Sequence, residues 1–308
     1  MARRAVASMG LLAVTTGLLI SAPTRSQSPA DSKSCISAAL ANEKSHTNSA
    51  ERGQASDEKG EAHRKVIVDR IEFDRPVNLS SSDIEQTIKR ANDSKWNADS
   101  PDWVDEMSEI ELRSAWQDQG YFKAAVDVHA RSIGGDSNIE RFVVAVHVLN
   151  EGHQYHLGNL KFVEISTIPE AELREVFPLH EGELFSVERI RVGIRALTNL
   201  YASHGYLDFT AVPETEIDEN LQRISLVMHL DEQRQFRVGT VDIQGLDPVL
   251  EAKLRSLLVP GEVFNGPSID TYFKENRPLI PRGMDNFEIR RNVRTGIVDL
   301  MFDPRLCY

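Results

Sequence analysis

Nine histidines, 47 acidic side chains and two cysteines are the groups of this 308-residue chain that could carry chemistry. The closest histidines, His153 and His156, stand three apart in what reads as a linker or strand start. A zinc hydrolase needs His-Glu-x-x-His, which sets two rings on one helical face with a carboxylate base between them, and that spacing does not occur. A Gly-x-Ser-x-Gly elbow, a phosphate-cradling loop and a Cys-x-x-Cys pair are missing as well. The acids follow helix faces and turns and do not converge. These residues point to no catalytic site, no metal site and no cofactor. With 35 Lys and Arg the formal charge is −12. That excludes a broad basic face for nucleic acid and disfavours anionic membranes as partners.

Cys35 and Cys307 lie near opposite ends of the chain. In an oxidising compartment they could bridge within the molecule, stay as independent thiols or pair between molecules, and spacing does not fix which. Export is read from the first residues. Arg3 and Arg4 form a basic start, residues 5–22 are small and apolar without an acid, and cleavage fits near Ser21-Ala22. A retained anchor needs about 20 apolar residues, whereas Ser8, Thr15, Thr16 and two glycines interrupt this run. Residues 1–26 thus read as a signal peptide. Residues 27–63, rich in Ser, Ala, Asn, Glu and Lys, read as a disordered linker.

Beyond residue 63 the chain repeats itself. The segment around Gly158 returns around Gly239, Gly182-Glu183-Leu184-Phe185 returns as Gly261-Glu262-Val263-Phe264, and Gly120-Tyr121 returns as Gly205-Tyr206. Each repeat spells strand, helix, helix, strand, strand, over residues 64–152, 153–233 and 234–308. In the second, residues 155–165 form a strand and Leu173, Val176 and Phe177 stripe a helix. Ser186 caps a longer helix with Ile190, Ile194, Leu197 and Tyr201 on one face, and residues 207–217 and 221–231 form a hairpin. Ser82-Asp83 is the expected cap of the first helix, and residues 104–119 form the second.

The predicted class is α+β, with tandem β-α-α-β-β domains in which two helices cover a three-stranded mixed sheet, in three copies. A right-handed crossover pairs the first and last strands in parallel, so the hairpin leaves the middle strand at an edge. Such an edge offers bare main-chain N–H and C=O groups to an extended peptide. Val126 and Val128 in the first unit, and Leu207, Phe209 and Ala211 in the second, mark these candidate edges. The alternative is a blunted edge, with Pro213, Glu214 and Glu216 or Asp127, His129 and Arg131 as the protection. Gly158 and Gly239 read as bulges or close backbone approaches.

The element order, the strand glycine, Gly182 to Phe185, and Leu200-Tyr201 running to Gly205-Tyr206 together resemble the POTRA (polypeptide-transport-associated) domain. The second unit carries every motif. The first has the helix end at Gly120-Tyr121 but lacks Gly-Glu-x-Phe, and the third keeps Gly239, Gly261 and Phe264 while Pro278 and Pro281 replace its Gly-Tyr end. In BamA- and TamA-like outer-membrane insertases such arrays stand in the periplasm before a transmembrane barrel. The resemblance implies a non-catalytic periplasmic scaffold at the outer membrane, whose partners are unfolded or extended polypeptides and outer-membrane assembly proteins. Five residues follow Asp303, and a barrel needs at least eight strands of about ten residues, so no barrel is expected in this chain. A stand-alone protein and a truncated insertase both fit. So does a structural adaptor of the envelope with no client.

Overall fold

A computed structural model describes residues 33–37, 63–100, 102–284 and 286–304. The signal segment, most of the presumed linker and Cys307 lie outside them. The described strands are β1 (Lys33–Ser37), β2 (Lys65–Phe73), β3 (Ala125–Gly135), β4 (Ile139–Asn150), β5 (His156–Val163), β6 (Thr210–Asp218), β7 (Arg223–Asp231), β8 (Arg237–Ile243), β9 (Asn286–Asn292) and β10 (Ile297–Phe302). The helices are α1 (Ser81–Asp93), α2 (Trp103–Met107), α3 (Arg113–Asp118), α4 (Glu170–Val176), α5 (Val187–Ser203), α6 (Pro248–Leu257) and α7 (Gly266–Asn276).

Three sheets with one internal order result. β2-β4-β3, β5-β7-β6 and β8-β10-β9 each pair their outer two strands with the central one, first strand parallel and middle strand antiparallel. Helical crossovers force this order, because a strand returning parallel must come back over the helices. Each sheet buries alternate residues beneath its helices. In β7 these are Ile224, Leu226, Met228 and Leu230, all 1 % exposed or less. The buried residues form three clusters, one per unit.

Local chemistry sets the helix ends. Ser80, not Ser82, caps α1: its side chain accepts from the Asp83 N–H while Asp83 bonds back, closing a capping box. Ser186 caps α5 as the sequence predicts, and Asp247 and Asn265 cap α6 and α7. The predicted helix over 104–119 forms, but a π turn at Ser108–Leu112 separates α2 from α3. The stretch read as disordered contains β1, which pairs antiparallel with β9, so the third sheet has four strands. Composition misses such a strand because main-chain pairing asks little of the side chains.

Candidate functional site

The two flanks of each sheet differ. On the β5 flank, the Gly182–Phe185 loop makes a short ladder: Leu157 N–H donates to Glu183 O (2.7 Å), Gly182 N–H to Leu157 O (2.8 Å) and Phe185 N–H to Tyr155 O (3.0 Å). Further along, Leu160 N–H donates to the Glu181 carboxylate (3.1 Å) and Leu160 O accepts from Arg174 (2.6 Å). The β8 flank repeats this ladder through Gly261, Glu262 and Phe264, with Arg255 donating to Val241 O (3.1 Å). The first unit lacks the motif but not the seal. Val66 N–H donates to Trp96 O (3.2 Å), Ala98 N–H to Arg64 O (2.8 Å), and the Asn92 amide bonds both main-chain groups of Val68. One flank is therefore closed in all three units.

The opposite flanks are β3, β6 and β9. Among the described residues no strand covers β3 or β6, whereas β1 lies along β9. The predicted edge residues fall on and around these strands with distinct roles. Val126 lies on β3 and Ala211 on β6, both half-buried, and Val128 points into the first core. Leu207 and Phe209 precede β6, which begins at Thr210. Phe209 stacks on Tyr201 with ring centroids 4.0 Å apart, and Leu207 packs against the third core. The outward groups of the open edges are instead Asp127, His129 and Arg131 on β3 and Val212, Glu214 and Glu216 on β6.

Gly120-Tyr121 and Gly205-Tyr206 do more than stop helices, because they build the joints between units. Gly120 O accepts from Tyr155 N–H and Gly205 O from Phe236 N–H, both at 2.8 Å. The next apolar residue plugs the following core. Phe122 sits in the second cluster, edge-on to Phe185 at 5.5 Å, and Leu207 takes the same place against the third. Ion pairs lock each plug, Lys123 to Glu219 and Asp208 to Arg291. Tyr155 Oη donates to Glu219 (2.6 Å), and burial together with this bond pushes its pKa up to about 12. Both glycines have φ above +80°, and a Cβ on Gly205 would stand 2.7 Å from Phe236 O. Left-handed strain and a backbone clash combine there, so Gly205→Ala is expected to cost about 2–3 kcal/mol. A denaturation midpoint equal to wild type would show that the joint tolerates a side chain. Where Phe122 and Leu207 stand, the third unit has Arg282, as the matched turn bonds of Ala124, Phe209 and Met284 show.

A carboxylate clamps each of the first two units, half-buried in the first and buried in the second, and the sequence reading overlooked it. Glu232, 8 % exposed at the end of β7, accepts from Tyr201 Oη (2.9 Å), from Ser166 and Thr167 N–H (3.0 and 3.1 Å) and from both their hydroxyls. Glu151 does the same at the end of β4, accepting from Trp116 Nε1 (2.7 Å) and from Asn78. Burial alone would raise the Glu232 pKa. The bonds from Ser166 and Thr167 overcome it and hold the group at about 2. The signal was present: Glu151 and Glu232 recur at the spacing of Gly158 and Gly239. Gly158 and Gly239 lie at register shifts of their sheets and face Ser225 and Asp299 closely. Cys35 lies on β1 opposite Glu288.

Residues 155–233 match the POTRA family model, described as a surface antigen variable number repeat. The outer membrane protein assembly factor BamA of Neorickettsia risticii (strain Illinois) is 27 % identical over 135 residues, which is 44 % of this chain and 18 % of that protein. The chain thus spans less than a fifth of the length of the curated relative it matches. The third to fifth POTRA domains of Haemophilus influenzae BamA align at 18 % identity with a TM-score of 0.49, over 78 % of this chain and 95 % of that one. POTRA domains 1–3 of Omp85 from Anabaena align at 14 % identity and a TM-score of 0.30, over 78 % and 95 %. The second unit is a POTRA domain, and the units on either side repeat its element order, its sealed flank and its sheet topology.

Proposed function

We propose that this tandem POTRA array is a non-catalytic periplasmic scaffold of outer-membrane protein assembly, and that it holds extended polypeptides or partner subunits on its open sheet edges. The observation that carries this reading is the asymmetry of the sheets: every unit closes one flank with its own loop and leaves the other to an added strand. Main-chain pairing there gives affinity with little sequence demand, which suits a scaffold that meets many unfolded chains. Val126 and Val128 on β3 and Ala211 on β6 lie on these edges, while Phe209 precedes β6 and Leu207 belongs to the joint with the third unit. We propose in addition that Cys35 and Cys307 form a bridge within the chain in an oxidising compartment. By intact-mass spectrometry the protein treated with an oxidant, which takes up two protons and two electrons, is expected to be two hydrogen atoms lighter than the reduced form, and an unshifted mass would remove the bridge.

Site-specific photocrosslinking tests the edges. Crosslinkers replacing His129 on β3 and Val212 on β6, which is 56 % exposed, are expected to capture a urea-denatured outer-membrane polypeptide. A crosslinker at Ala171, exposed on α4, is expected not to. Equal capture at all three sites, or capture at none, would leave the envelope-adaptor alternative in place.

A further inference from the structure

We propose that β9 is the strongest strand-accepting edge of the array and that residues 33–37 of the same chain hold it closed as a displaceable internal ligand. The pairing runs antiparallel over five positions, from Lys33 opposite Arg290 to Ser37 opposite Asn286. β1 is not needed to complete the third unit, because β8, β10 and β9 already have the order found in the other two sheets. It is an added strand, seated on the flank that the first two units leave open.

The three edges are not equal templates. β6 carries Pro213, whose missing N–H removes a donor from the ladder, along with a row of acids at Glu214, Glu216 and Asp218. β3 pairs with its neighbour through two register shifts and ends in Gly134-Gly135, so it bends along its length. β9 has no proline, no glycine and no register shift against β10, and Phe287 and Ile289 anchor it in the core. A regular, anchored edge is the one that most needs a cover.

The cover is built to come off. Ordering five residues costs free energy of the same size as their ladder returns, so a short strand binds weakly by itself. In the reduced protein, where no Cys35–Cys307 bridge holds the strand, its hold comes from tethering. Residues 38–64 join Ser37 to β2 covalently, a chain length that can span at most roughly 90 Å, so the strand stays at a high local concentration beside β9. A longer extended polypeptide that pairs with all seven residues of β9 can displace five. Naming such a client as the competitor rests on the function proposed above, but the internal pairing does not.

A labelled synthetic peptide of residues 30–40, with serine at position 35, is the probe. It is titrated against the full chain, a chain lacking residues 33–37, and Ile36→Pro as a milder variant that removes one donor. Binding to the deleted chain at least about tenfold tighter than to the intact chain is expected, with Ile36→Pro between them. Faster amide exchange in β9 of the deleted chain, with unchanged exchange in β7, is the accompanying result and also shows that the fold survives. Equal peptide binding to intact and deleted chains, binding to neither, or unaltered β9 exchange would overturn the proposal. A denatured outer-membrane polypeptide is then added as competitor. If it displaces the peptide, both readings stand. If the peptide binds as expected and the polypeptide does not compete, the internal cover stands and the client role fails.

Discussion

Replacing Phe122 by alanine is expected to destabilise the second unit by about 3 kcal/mol while leaving the first nearly unchanged. The side chain follows the last helix of the first unit, yet it is 8 % exposed within the second core and edge-on to Phe185. Truncating a buried phenylalanine removes its transfer free energy and leaves a cavity, at about 3–5 kcal/mol. The lower end fits a residue at the rim of its core. Amide exchange resolved by unit is the measurement. Faster exchange in β5 and β7 with unaltered β2 and β4 is the expected pattern, and loss spread evenly or confined to the first unit would refute the plug. Leu207 should act likewise on the third unit, with a smaller loss because it is only partly buried.

The second large effect is a pH-dependent one at Glu232. Its ordinary pKa of 4.5 falls to about 2 in the folded protein. A lowered folded-state pKa means that the unfolded chain takes up protons first on acidification. The stabilisation is therefore complete above about pH 5 and drains away as pH falls toward 2. A difference of this size corresponds to about 3 kcal/mol. Glu232→Gln removes the charge and keeps one acceptor oxygen, so a loss of about 2–3 kcal/mol at pH 7 is expected. At pH 2 the variant and the wild type should converge. Urea denaturation at both pH values decides it, because curves separated by the same amount at pH 7 and pH 2 would mean that the carboxylate charge is not what holds Ser166, Thr167 and Tyr201 together.

Most of the element order was legible because it rests on period and punctuation. Alternation in β7 and the stripe of Ile190, Leu197 and Tyr201 on α5 are properties of single segments. Gly205 marks a helix end by its left-handed backbone. What escaped was whatever depends on which core a residue enters. Phe122 reads as an ordinary apolar residue and Leu207 as part of an open edge, since nothing local says that they serve the next unit. Glu151 and Glu232 were hidden among many acids although their spacing matched the repeat. Trp96 and Ala98 close the β2 flank through main-chain atoms, so no Gly-Glu-x-Phe pattern was needed. β1 was hidden in a Ser-rich stretch for the same reason, whereas the position of each middle strand at the side of its sheet follows from topology alone.

The sealed flank has a bearing on crowding. A sheet bare on both sides is a monomer for fibre growth, since each strand added presents the next one with a fresh template. Closure of β2, β5 and β8 by their own loops leaves every unit with a single growth face. Two units that meet open edge to open edge exhaust both templates at once. Accidental pairing through any one unit's strand therefore stops at two joined sheets and does not grow through that unit into a fibre.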